Sequence, residues 1–195
     1  MALNLAFAAV IASLLSAAAS LGAHRRIAVL RILSFPLLGV AGAAAAVAGV
    51  LTLSSGAVFT DTLPIGLPWL HWQVRLDTLS ALFLAIIGIV TFAVALFGPG
   101  YLREYEHGDH PLVQLGVFTG LFIAGMLLVV LADDAFMFMV AWELMSLSSY
   151  FLVVFHHEHA ANRRAGFLYL LMAHVGGLMI LLGYGVLATF GDGFA

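Results

Sequence analysis

The 195-residue sequence contains no cysteine and no lysine. Without cysteine there are no disulfides, no iron–sulfur clusters and no thiolate metal sites on this chain. Without lysine, all seven positive side chains are arginines. Charge of either sign is scarce: 9% of residues are charged and 64% are hydrophobic, with a mean hydropathy of +1.13. A water-soluble domain of this size cannot cover its surface with so few charges, so the composition is that of a polytopic membrane protein embedded in a lipid bilayer. The net charge of −3 provides no basic face for nucleic acid. No nucleotide-binding loop, nucleophile–base pair or zinc-ligand spacing is present.

What the sequence does hold is long apolar runs. A spanning helix needs about 20 such residues, and six segments qualify: Leu3–Leu21, Ile32–Leu53, Leu76–Phe97, Leu112–Leu131, Ala135–Phe155 and Ala165–Thr189. The expected fold is an all-α, polytopic transmembrane helix bundle of six spans. The first segment has no basic stretch before it and is followed directly by more spans, so it reads as a retained helix. Asp77 is placed to cap the third span, and the Asp133-Asp134 turn to cap the fifth. His110-Pro111 suits the start of the fourth, Pro36 falls in the first turn of the second, and Gly98-Pro99-Gly100 reads as the end of the third. The run "AGAAAAVAG" in the second span is built for close helix packing.

Six of the seven arginines lie in odd-numbered loops: Arg25, Arg26, Arg31, Arg103, Arg163 and Arg164, with Arg75 the exception. The positive-inside rule then places the amino terminus outside the cytoplasm; the expected location is the inner (plasma) membrane, multi-pass. Trp69 and Trp72, beside Pro64 and Pro68, read as an aromatic belt at the outer interface.

Glu143 is the sharpest chemical signal. It is the ninth residue of its span, about 12 Å from the outer end at ~1.5 Å per residue, near the bilayer centre. A charge there costs roughly 2.5–3.5 kcal/mol on insertion scales. A carboxyl held at that depth is a proton-relay candidate; its competing role is a hydrogen bond that holds a neighbouring helix. Ser146 and Tyr150 share its helical face and could position water. Ser148 and Ser149 point elsewhere and should bond back to their own helix carbonyls. His174, the tenth residue of the sixth span, enters from the cytoplasmic side to about 13–14 Å. In a ~30 Å core this is a layer close to that of Glu143. Histidine both accepts and donates protons, so His174 is the natural relay partner, with packing through a carbonyl bond as its alternative.

His156, His157 and His159, with Glu158, stand at the cytoplasmic mouth, as a proton entrance or a solvated loop. Asp77, Asp133 and Asp134 stand at the outer side, as caps or as entrance and coupling groups. Haem ligation would need two facing histidines in the membrane, and only His174 is deep. The sequence therefore points to no cofactor and no metal site.

Three stretches, "LDTLSALFLAIIGIVTFAVALFGPGYL", "FIAGMLLVVLADDAFMFMVAWELMSLSSYFLVVF" and "LYLLMAHVGG", resemble the antiporter-like proton-translocating family. That family includes the large membrane-arm subunits of respiratory complex I and the cation/proton antiporter subunits. "WELMSLSSYFLV" and the "HVG" of the sixth span are most similar to its hydrogenase 4 component B and formate hydrogenlyase branch. The match is specific from Leu76 onward; before that, only hydropathy matches. The resemblance implies that Glu143 is the glutamate of a first half-channel, whose family partner is a lysine on a seventh helix. It implies a fold of two inverted five-helix repeats, helices four to eight and nine to thirteen. It also implies partners: other membrane-arm subunits and a soluble redox arm that does the electron transfer.

This chain has neither a seventh span nor a lysine, and is expected to be the amino-terminal part of a longer subunit or one piece of a split one. The missing part would then be a further partner. Residues 1–75 would be an amino-terminal two-helix segment with its outer loop, and residues 76–195 the truncated start of the proton-conducting domain. The function so implied is membrane-subunit work in a complex I-like or hydrogenase complex, with proton translocation coupled to electron transfer. The alternative is a non-transporting anchor or assembly subunit.

Overall fold

The computed structural model describes residues 1–22, 30–67, 70–102 and 112–190. Six helices among them are long and apolar enough to cross a membrane. They are α1 (Ala2–Gly22), α2 (Phe35–Ser55), α3 (Thr78–Tyr101), α4 (Leu112–Leu131), α5 (Ala135–Val153) and α6 (Ala160–Ala188). A short π-helical turn, Leu30–Ser34, leads into α2, and two strands, β1 (Phe59–Leu67) and β2 (Leu70–Leu76), lie between α2 and α3. The six expected spans are thus all present, with ends displaced by a few residues. The largest displacement is at α6, which starts at Ala160 and takes Arg163 and Arg164 into its first turns.

The bundle is held by backbone-to-backbone approach. On α2 and α3 the facing residues are small. A methyl at Gly42 would lie 2.5 Å from the backbone N of Phe92 and 2.8 Å from the carbonyl of Gly88. One at Gly49 would lie 2.5 Å from the carbonyl of Ala81. Lipid gives little drive to bury one apolar side chain rather than another, so small residues that let backbones meet are what bring two helices together. The small-residue run in the second span does this. α1 lies between α2 and α4. It meets α4 through the same device, since a methyl at Gly120 would lie 2.8 Å from the Ser13 carbonyl. Three α1 hydroxyls are buried on these seams. Ser13 bonds back to the Ala9 carbonyl at 2.9 Å. Ser16 donates to the Ser34 carbonyl at 2.8 Å, and Ser20 Oγ lies 2.9 Å from Ser34 Oγ. The last two staple the π-turn, whose wider spacing leaves carbonyls free, onto α1. α5 packs on α4, and α6 rests chiefly on α5.

Helix ends follow local chemistry. Pro36 occupies the first turn of α2, where no N–H is missed. Gly56 closes α2 at φ 61°, with its N–H on the Thr52 carbonyl at 2.9 Å, a left-handed conformation that glycine adopts without a Cβ clash. Asp77 caps α3 by accepting from the Ser80 N–H at 2.9 Å.

Three expectations are corrected. Gly98-Pro99-Gly100 does not end α3: the helix runs to Tyr101 with Pro99 inside it. In the last turn a proline costs only one terminal hydrogen bond, and the Phe35 ring lies directly over Gly98. The loop between α2 and α3 is an antiparallel hairpin, paired from Phe59↔Leu76 to Leu63↔Trp72, with an irregularity between Leu63 and Gly66. Trp72 packs half-buried against the hydrophobic core. The hairpin docks on the α4–α5 turn. Val74 bridges Ala132, the Asp133 N–H donates to the Gln73 carbonyl at 2.9 Å, and the Gln73 N–H donates to Asp134 Oδ2 at 2.7 Å. Finally, only one carboxylate of the Asp133-Asp134 turn caps α5. Asp134, buried, accepts from the Met137 N–H at 2.7 Å, whereas Asp133 faces Arg75 at 3.8 Å. Trp69, the His110-Pro111 pair and Arg25, Arg26 and Arg103 lie outside the described residues.

Candidate functional site

The α5–α6 seam carries Glu143 and His174, the ionisable groups expected near the bilayer centre. Glu143 Oε2 stands 3.5 Å from His174 Nε2. His174 Nδ1 lies 2.9 Å from the Leu170 carbonyl, one turn back on α6. A carbonyl only accepts, so Nδ1 carries the proton. Nε2 of the neutral ring then presents its lone pair to the carboxyl, the tautomer that lets a protonated Glu143 hand over its proton. The two side chains are 39% and 45% exposed, so the pair sits on the open flank of α5 and α6.

Around this pair the serines serve other partners. Ser146 Oγ donates at 3.2 Å to the backbone carbonyl of Glu143, not to its carboxyl. Ser148 and Ser149 bond back to the carbonyls of Leu144, at 2.5 Å, and Ser146, at 3.0 Å. Ser149 Oγ also lies 2.5 Å from the Tyr169 hydroxyl on α6. Tyr150 packs edge-on to Phe151 and faces Gly166, where a methyl would lie 3.3 Å from its ring. The structure therefore brings Glu143 and His174 together and leaves Ser146 and Tyr150 occupied elsewhere on the seam.

Sequence reasoning passed over two groups. Tyr169 lacked any signal beyond its helical position. Trp142, next to Glu143, has its indole Nε1 buried with no hydrogen-bond partner among the described residues. A tryptophan beside a membrane carboxyl was the signal that could have found it, because indole N–H groups seek acceptors.

The remaining candidates lie at the two ends. In the α5–α6 turn, Asn162 Nδ2 donates to the His156 carbonyl at 3.0 Å. Arg163 Nη1 donates to the His157 and Glu158 carbonyls at 2.7 and 2.9 Å. His157 Nδ1 lies 4.0 Å from Glu158 Oε1. His159 precedes α6 without a side-chain cap bond. No cluster of three or more metal-ligating side chains occurs among the described residues. At the opposite end Arg75 lies between Asp77, at 3.5 Å, and Asp133. The Ser80 backbone N–H holds the Asp77 carboxyl below its ordinary value against partial burial, helped by the Ser80 hydroxyl and by Arg75. An open polar cleft of about 500 Å³ lies beside the hairpin, lined by Thr60, Asp61, Thr62, Gln73, Val74 and Asp133.

Against this geometry stand the comparisons with known proteins. The family described as "NADH:quinone oxidoreductase/Mrp antiporter, TM" matches residues 132–192, which carry the Glu143–His174 seam. The one described as "NADH-Ubiquinone oxidoreductase (complex I), chain 5 N-terminus" matches residues 63–109. Over these two regions the chain is similar to the antiporter-like family. It is 36% identical over 111 residues to hydrogenase-4 component B of Escherichia coli K12, across 57% of this chain and 16% of that protein. It is 30% identical over 117 residues to NADH-quinone oxidoreductase subunit L of Pseudomonas aeruginosa, across 60% of this chain and 18% of that one. The fold is shared with a chain of the membrane-bound sulfane sulfur reductase, an archaeal respiratory membrane complex, at TM-score 0.74 and 20% identity. That match covers 96% of this chain and 28% of the other. The chain thus spans under a third of the length of these relatives.

Proposed function

We propose that this chain is a membrane component of a complex I-like or membrane-bound hydrogenase complex, and that Glu143 and His174 form a step of its proton path. The observation that carries the reading is the 3.5 Å approach of Glu143 Oε2 to a histidine nitrogen whose tautomer the Leu170 carbonyl sets. The step moves one proton. The O–H bond of neutral Glu143 breaks, an N–H bond forms at His174 Nε2, and a carboxylate faces an imidazolium. The new proton lies on Nε2 facing the carboxylate, and because both side chains are part exposed a group on an adjoining helix or a water can reach it there. Such a half-exposed ion pair at mid-membrane needs protein or a water-filled cavity over it. This supports seating further helices of the complex against that flank. In this reading the chain carries no redox centre, electron transfer belongs to a soluble arm of partner subunits, and the amino terminus faces away from the cytoplasm in the inner membrane.

A second reading has its own support. The same pair ties α6 to α5, so Glu143 could serve only as a tie between helices. Substitution separates the two. Glu143→Gln keeps the volume and most of the hydrogen bonding but cannot titrate. If Glu143 carries protons, Gln assembles normally and translocation is lost. Glu143→Asp, withdrawing the carboxyl by about the ~1 Å that costs 10²-fold, retains only a small fraction. If Glu143 is a tie, Gln is tolerated and Glu143→Ala impairs assembly by leaving His174 unpaired. The measurement is pH-gradient formation in vesicles holding the complete complex, normalised to the amount assembled. Full translocation by the Gln variant overturns the relay.

A further inference from the structure

We propose that the indole N–H of Trp142 is a second docking point for the Glu143 carboxylate, reached across Gly177. The inference rests on the proton-carrier reading of Glu143 and adds what happens after the proton has moved. A carboxylate left 3.5 Å from a new imidazolium attracts the proton back. A donor on the other side of the carboxylate draws it off His174 and leaves the imidazolium free to release its proton onward.

Three observations carry this. The Trp142 Nε1 is buried and has no acceptor among the described residues, a state that native proteins rarely leave without reason. Its ring lies against Phe138, with centroids 5.9 Å apart. A phenylalanine would suit such surroundings with no N–H to satisfy, so the indole is there for its donor. Second, Nε1 is already covered by the two helices, so its acceptor has to come from the seam itself. Third, the facing residue is Gly177, one of the two buried residues on an otherwise open α6. A methyl at that position would lie 3.3 Å from Trp142 Nε1 and 3.7 Å from Glu143 Oε1. Both atoms therefore border the space a side chain at 177 would take. Oε2 faces His174 while Oε1 faces this glycine. Rotation of the carboxylate about its own side-chain bonds carries it from one donor toward the other. Trp142 is a positioning residue: it acts on the proton through Glu143.

The test replaces Trp142 in the assembled complex by β-(3-benzothienyl)alanine, which keeps the ring shape and exchanges the N–H for sulfur. Losing one hydrogen bond to a charged group should lower proton translocation per assembled complex about tenfold. Trp142→Phe and Gly177→Ala should act in the same direction. Independently, 5-fluorotryptophan placed at position 142 should show a fluorine resonance that moves between two positions as pH is varied. The same resonance should stay at one position in Glu143→Gln. Wild-type translocation by the benzothienyl variant, or a pH response of the resonance that survives Glu143→Gln, overturns the inference. If Glu143→Gln itself translocates normally, the relay reading falls, and the fluorine resonance still decides whether the Glu143 carboxylate docks on Trp142.

Discussion

Gly88→Ala is the sharpest test of how the bundle is held. A methyl at Gly88 would overlap the backbone N of Ala46 and lie 2.6 Å from the Gly42 carbonyl and 2.8 Å from the Ala46 Cα. Ordinary carbon contacts begin near 3.5 Å, so α2 and α3 must part by about 1 Å. These are backbone atoms of a helix, with no flexible side chain that can swing aside. A gap of ~0.5–1 Å already forfeits a quarter to a half of each dispersion contact, and it opens along the whole seam. Overpacking of this kind costs about 1–3 kcal/mol. The better helix propensity of alanine returns up to ~1 kcal/mol. The net loss of up to roughly 2 kcal/mol corresponds to melting up to roughly 8 °C lower.

Gly39→Ala is the control on the same helix pair. A methyl there meets Ala95 Cβ at 3.5 Å, an ordinary contact, so that variant should melt at or slightly above the wild type. Gly42→Ala together with Gly88→Ala should cost less than the two singly, because the first methyl already separates the helices. The assay is thermal unfolding of the detergent-solubilised protein. A Gly88→Ala variant that melts no lower than Gly39→Ala refutes the account.

Two further outcomes follow from the ends of the bundle. The Asp77 carboxyl is held below its ordinary value in the folded protein. Its contribution is therefore complete above about pH 4 and disappears as pH falls through that lower folded value. Asp77→Asn should lower stability at neutral pH and flatten the acid limb of the stability–pH curve, so that variant and wild type converge in acid, as seen by thermal unfolding across pH. For orientation, the absence of cysteine makes single introduced thiols unambiguous: one replacing His157 should label only with reagents that reach the cytoplasm, and one replacing Thr62 in the hairpin only from outside. The opposite pattern removes the arginine-based orientation.

The spans were legible because twenty-residue apolar runs have one physical outcome in a bilayer, and the Asp77 cap because a carboxylate before an apolar helix has few other uses. Depth counting placed Glu143 and His174 in neighbouring layers, and in the structure they are 3.5 Å apart. The roles assigned to them remain those of the proposal. The hairpin was not legible: Pro64, Gly66 and Pro68 break the two-residue alternation that marks a strand. Nor was the continuation of α3 through Pro99, where the Phe35 ring from a distant segment lies over Gly98. Helical spacing put Ser146 and Tyr150 on the face of Glu143. It could not show that the Ser146 hydroxyl turns to a backbone carbonyl, or that Trp142 turns its N–H toward Gly177, because rotamers are settled by the neighbouring helix.

Because α6 rests chiefly on α5, the gap between Glu143 and His174 is set by a single seam, while the clamped α1–α4 core does not enter into it. The arrangement works like a leaf hung on a post. Pressing on the outer face of α6 narrows the 3.5 Å gap, and relaxing that pressure widens it, at the expense of one interface. In the proposed proton-path reading, a neighbour leaning on the exposed side of α6 would thus act on the Glu143–His174 distance without touching either residue.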